Sequence, residues 1–179
     1  MKFKFSEICL ILVLLSQLAI GQKAKKEEFY VAQWNLENLF DAVHDQDKDD
    51  SEFLPESEKF WTDGKLEQKL TNLAKVINYM NGGKGPDILS MEEVENLGVM
   101  KRLIYKLSDR DYFPAHRESP DVRGIDVGLF YDRNVFDIKA LTPIHVELPN
   151  KNPTRDILHV TLEYKNTKEI VHFFVNRNA

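Results

Sequence analysis

The sequence has a single cysteine, Cys9, in 179 residues. That excludes an internal disulfide and any zinc site built from several cysteines. Glycine and proline are sparse, at eight and seven, which excludes a collagen-like fibre. A long apolar run occurs once, at the amino terminus, so a multi-pass membrane protein is excluded too. Neither sign of charge dominates, with 24 Lys and Arg against 29 Asp and Glu and a formal net charge of -5. This balance gives no general attraction to a polyanion, so nucleic acid has to be met by a local basic site. What remains is 42% hydrophobic and 30% charged residues, the composition of an ordinary globular domain.

The amino terminus reads as an export signal. Lys2 and Lys4 precede an apolar stretch over residues 8–15 that resumes at Leu18, Ala19 and Ile20. Ala19 and Gly21 are the small residues a signal peptidase requires. Ser16 and Gln17 interrupt the run, which is shorter than the about 20 apolar residues of a membrane span. The expectation is a signal peptide over residues 1–21, a charged lead-in over 22–28 and one domain over 29–179. Cleavage after Gly21 removes Cys9, which suits a secreted or periplasmic monomer that folds without disulfides.

Within the domain, residues 29–34 alternate as a β-strand does, and 41–58 form a long acidic loop holding Pro55. Asp63 is placed to cap a helix over 65–80, with Leu66, Leu70, Leu73, Ile77 and Met80 on one face. Residues 87–91 suit a buried strand, and Val99, Leu103 and Leu107 mark a second amphipathic helix. Strands at 127–131 and 135–141 flank turn residues Asp132-Arg133-Asn134, which predicts a hairpin. A second hairpin is predicted from 157–164 and 170–175. The pattern is that of a mixed α/β domain with helices packed on sheets.

Two polar clusters close apolar strands. Trp34-Asn35-Leu36-Glu37-Asn38 offers an amide and a carboxylate that can hold a hard cation or bond their own loop. Ser90-Met91-Glu92-Glu93-Val94-Glu95-Asn96 delivers carboxylates where α/β sheets gather ligands. In a continuing strand Glu92 and Glu93 face opposite ways, so only one can serve a shared site. Glu95 suits the start of a helix, where negative charge meets the dipole. Asp45, Asp47, Asp49 and Glu56 have the spacing of a calcium loop, but Asp50 stands where that loop needs glycine. A solvated acidic loop accounts for them.

The ordered motifs, Trp34-Asn35, the run from Pro86 to Asn96 and Arg123-Gly124-Ile125-Asp126-Val127, resemble the endonuclease/exonuclease/phosphatase superfamily. Asn35-Leu36-Glu37-Asn38-Leu39-Phe40-Asp41 is similar to its deoxyribonuclease-like, secreted bacterial branch. The resemblance implies a four-layer α/β sandwich, two packed sheets with helices outside. It implies that Asn35 and Glu93 hold a divalent metal, usually Mg2+, with Mn2+ or Ca2+ as alternatives. Arg123 and Arg155 stand where the family binds phosphate, Asp126 where a carboxylate orients a catalytic histidine, and Asn176 within the family's Asn-His motif. Guanidinium forks suit a phosphodiester.

The implied function is metal-dependent phosphodiester hydrolysis, with extracellular nucleic acid as the expected substrate. A phosphomonoesterase or a sphingomyelinase-like phosphodiesterase shares the motifs. Two departures matter. Arg177 occupies the motif's histidine position, and arginine cannot exchange a proton near neutral pH. The family's later water-activating motifs are also missing, and all five histidines read as structural. A complete sandwich of this kind needs roughly 250 residues, so the expectation is only its amino-terminal part, and an inactive fragment is the competing reading.

Overall fold

The computed structural model describes residues 28–150 and 152–177. The expected signal peptide and all of the lead-in but Glu28 lie outside the described residues. Among the described residues, no helix is long and apolar enough to cross a membrane.

Seven strands form two sheets. The first has the order β1-β2-β4-β3, built from β1 (Val31–Leu39), β2 (Ile88–Val94), β3 (Tyr112–His116) and β4 (Asp126–Asp132). β1 runs parallel to β2, while β2/β4 and β3/β4 are antiparallel. Every residue of β4 is buried, as a strand covered on both faces must be. β3, with Pro114 inside it, occupies the edge, where a missing N–H is tolerated.

The second sheet, β5-β6-β7, is antiparallel. It comprises β5 (Phe136–Ile144), β6 (Ile157–Tyr164) and β7 (Ile170–Val175). Ile88, Ala115, Val127, Leu129 and Tyr131 of the first sheet pack on Phe136, Leu158, Val160, Leu162 and Val175 of the second. This is sheet-on-sheet packing with alternate residues turned inward.

Helices α1 (Asp63–Gly83) and α2 (Leu97–Ile104) cover the other face of the first sheet. α1 turns Leu66, Leu70, Leu73, Ala74 and Ile77 inward, against Leu89, Met91 and Phe130 of the sheet. Its backbone leaves helical geometry over Met80, Asn81 and Gly82, as the Asn-Gly-Gly sequence foreshadows. α2 sits so close to β4 that a Cβ on Gly128 would fall 2.6 Å from Cε of Met100. Two packed sheets with helices outside one of them are the expected α/β sandwich architecture; among the described residues no helix covers the second sheet.

Local expectations fared unevenly. Asp63 does not cap α1; Thr62 does, its Oγ1 accepting from the Lys65 N–H. The hairpin at Asp132-Arg133-Asn134 is absent: β4 and β5 belong to different sheets. The turn is real, with Val135 N donating to Asp132 O at 3.0 Å, but it hands the chain from one sheet to the other. The apolar faces of both strands are satisfied across the sandwich, so nothing forces them to pair. The 157–175 hairpin forms as β6/β7.

Candidate active site at the carboxyl ends of β1 and β2

The ends of β1 and β2 are both irregular. Their register shifts between Asn35 and Leu39, and that of β2/β4 between Glu92 and Val94. Glu37, Asn38 and Glu93 take positive φ, at 54°, 62° and 61°. Left-handed backbone is costly for residues with a Cβ and persists where its surroundings over-determine it. A bulge also re-aims a side chain. Here the bulge in β2 turns Glu93, 6% exposed, toward β1, while Glu92 accepts from Gln33 Nε2. Lys69 of α1 fastens the bulge of β1 by donating to the carbonyls of Glu37 and Asn38.

Glu93 is heavily bonded. Its Oε1 accepts from Asn35 Nδ2 at 3.0 Å and pairs with the Arg177 guanidinium at 2.7 Å. Its Oε2 accepts from the Asn38 N–H at 2.9 Å. Burial by itself would raise the Glu93 pKa, but these donors, with the charges of Arg177 and Arg123, hold it below the ordinary value. Glu93 is therefore an ionised carboxylate at neutral pH.

The expected site residues divide into two groups. Asn35, Glu93, Arg123 and Arg155 come together: the Arg123 charge acts on Glu93, and those of Arg123, Arg177 and Glu93 act on Arg155. Arg155, just before β6, pairs with Asp121 Oδ2 at 3.5 Å, and its buried Nε has no hydrogen-bond partner. Asp121 in turn accepts from the Arg123 N–H. Asn176 lies exposed just past β7, beside Arg177. Asp126, opposite Val94 in the β2/β4 register, is turned to other partners. It is buried at the start of β4, with Oδ2 3.3 Å from His116 Nε2 and Oδ1 accepting from Ser119 N.

Sequence reasoning missed Arg177 as a partner of Glu93, and it missed His116. The signal for Arg177 was its position in the motif, where a different chemical role was expected. For His116 the local sequence carried no signal, because its partner Asp126 is on another strand.

A hard divalent cation asks for one or two carboxylates and keeps much of its water. Glu93 fits this demand, being ionised and fixed in place by its donors. Asn35 is placed otherwise: its Oδ1 accepts from Glu37 N at 2.8 Å and its Nδ2 faces Glu93. In this arrangement Asn35 positions the carboxylate.

A sequence model of the Endonuclease/Exonuclease/phosphatase family matches residues 30–179. The chain belongs to this family. No curated protein matches it by sequence. Among solved structures, TDP2 from C. elegans is 16% identical, with a TM-score of 0.51 over 90% of this chain and 40% of that one. ANGEL2, a 2',3'-cyclic phosphatase, in complex with adenosine-2',3'-vanadate, is 13% identical, with a TM-score of 0.51 over 80% of this chain and 39% of that one. The mannosyl-6-phosphatase Bt3783 of Bacteroides thetaiotaomicron VPI-5482 is 17% identical, with a TM-score of 0.48 over 82% and 50%. At such identities the likeness is one of fold. The chain spans half or less of the length of these structures.

Proposed function

We propose that this family member serves hydrolysis of a phosphoester, with a phosphodiester of extracellular nucleic acid as the substrate. One observation carries the reading: an ionised, buried carboxylate, Glu93, lies within the field of three arginines, Arg123, Arg155 and Arg177. A carboxylate beside several guanidinium groups suits a cation and an anion bound side by side. That is the demand of a phosphate ester held against a divalent metal.

In this reading Glu93 holds the ion, and Asn35 with the Asn38 N–H keeps the carboxylate aimed. When bound, the ion supplies polarisation of a phosphoryl oxygen and steadies the leaving group. The arginines take the remaining phosphate oxygens and balance charge that grows during attack. Arg177, which pairs with Glu93, cannot exchange a proton near neutral pH. That favours a second reading, in which this chain binds metal and phosphate without turning over. Export rests on the apolar run of residues 8–15, and amino-terminal sequencing of the exported protein should begin at Gln22.

The test is magnesium-dependent cleavage of plasmid DNA and of bis(p-nitrophenyl) phosphate by the purified chain. Turnover that falls by about 10²–10³ in Glu93→Gln, the range for loss of a group stabilising transition-state charge, supports the first reading. Magnesium and phosphate binding by a folded protein with no turnover supports the second. Phosphomonoester cleavage with neither DNA nor diester cleavage would move the substrate to a phosphomonoester.

A further inference from the structure

A second group of ligand-type side chains lies at the junction of β3 and β4, outside the set that surrounds Glu93. His116, Glu118 and Asp126 each offer one donor atom within 4.8 Å of the other two. The His116 and Asp126 side chains are 3% and 2% exposed. His116 Nε2 and Asp126 Oδ2 face each other at 3.3 Å, yet neither has a hydrogen-bond partner. Two buried polar atoms left unmatched are costly, and native folds rarely keep them without a ligand. Their separation is the edge of a tetrahedron around zinc, about 3.3–3.5 Å when zinc–ligand bonds are about 2.0–2.2 Å.

The geometry points to a binding site for a zinc-class divalent transition ion on His116, Asp126 and Glu118. An imidazole with two carboxylates selects such an ion over magnesium, which prefers oxygen ligands. Glu118, with a side chain 62% exposed and Oε1 3.8 Å from His116 Nδ1, would swing in from the solvent side as the third ligand, and water would complete the coordination. Ser119 N holds Asp126 Oδ1 at 3.1 Å, orienting the ligand from behind. Lys48, whose charge acts on Glu118, donates its ammonium to the carbonyls of Ser119 and Asp121. The ion would tie the end of edge strand β3 to the start of β4. Glu93 is committed elsewhere, bonded to Asn35, the Asn38 N–H and Arg177.

The test uses the full chain, stripped with chelator and titrated with Zn(II) by calorimetry and with Co(II) by visible absorption. One equivalent should bind, with the intense bands of four-coordinate Co(II) and a raised melting temperature. Glu118→Gln, a change at an exposed side chain that should leave the fold intact, should weaken binding about tenfold or more, and Asp126→Asn should weaken it further. Glu93→Gln should leave the Co(II) spectrum unchanged, which separates this site from the proposed hydrolytic one. His159 and His172, 2.9 Å apart on the open face of the second sheet, are the control pair. Absence of uptake by folded protein would overturn the proposal. So would binding indifferent to Glu118→Gln, or binding lost in Glu93→Gln or in a His159→Ala/His172→Ala double variant.

Discussion

The first sheet is covered on both faces, by α1 and α2 on one side and by the second sheet on the other. The second sheet is covered on one face only among the described residues: β6 and β7 alternate between inward and more exposed positions, and most of β5 is exposed. The consequence shows in the burial of the strands. β4 is buried at all seven residues, whereas β7, apolar at all positions but His172, leaves Ile170, His172 and Phe174 exposed. The chemistry divides along the same line. The covered sheet supplies the rigid carboxylate Glu93, and segments flanking β6 and β7 supply Arg155 and Arg177. A fixed anion belongs on the stiffer element, because packing holds its rotamer.

The covered sheet should be the more sensitive to truncation. Leu89→Ala empties a site with no exposure and should cost about 2–5 kcal/mol, read by urea denaturation. A loss below 1 kcal/mol would mean that the helix layer contributes little. Next comes Glu95, immediately beyond β2 and 2% exposed. Burial, then the charges of Asp41, Asp45 and Asp50, push its pKa up from 4.5 to about 8, against a backbone hydrogen bond from Asp41 that lowers it. The folded pKa lies above the unfolded value, so the fold favours the protonated acid. Its contribution is complete below about 4.5 and is lost as pH rises toward 8. Glu95→Gln should flatten that part of the stability–pH curve and be the more stable protein at pH 8. An unchanged slope would show that another group titrates.

The connection between the sheets is probed by Arg177→Ala. The guanidinium pairs with Oε1 of Glu93 at 2.7 Å and would compete there with a cation, so its removal should tighten magnesium binding by about tenfold, the worth of a charged hydrogen bond. Weaker binding would mean that Arg177 helps to build the metal site. The smallest effect belongs to the open face. Phe174→Ser removes a ring 60% exposed and stacked on His159, and should cost less than about 1 kcal/mol. A larger loss by thermal melting would show that this face is covered in the folded protein.

Much of this was legible along the chain. The α1 stripe from Leu66 to Ile77, the β6/β7 hairpin and the apolar runs of β2 and β4 all carried their own periodicity. So did the alignment of Asn35 and Glu93 with strand ends. What was not legible depended on contacts between distant segments. The turn at residues 132–134 has hairpin chemistry, yet its flanking strands part because each finds better partners elsewhere. β3 went unread because Pro114 interrupts its strand pattern, although an edge position accepts it. The histidines looked structural one at a time, and only folding brings His116 against Asp126.

The sequence by itself determined which stretches are apolar enough to be strands and helices, which acids close them and which family the motifs match. The periods of 2 and 3.6 residues are local properties, so a local reading recovers them. Tertiary structure alone decided that Glu93 turns back through a left-handed bulge, that Arg177 caps it, and that Asp126 belongs with His116. These choices follow from burial: once two sheets and a helix layer exclude water, each charged group must take the partner that packing brings within reach.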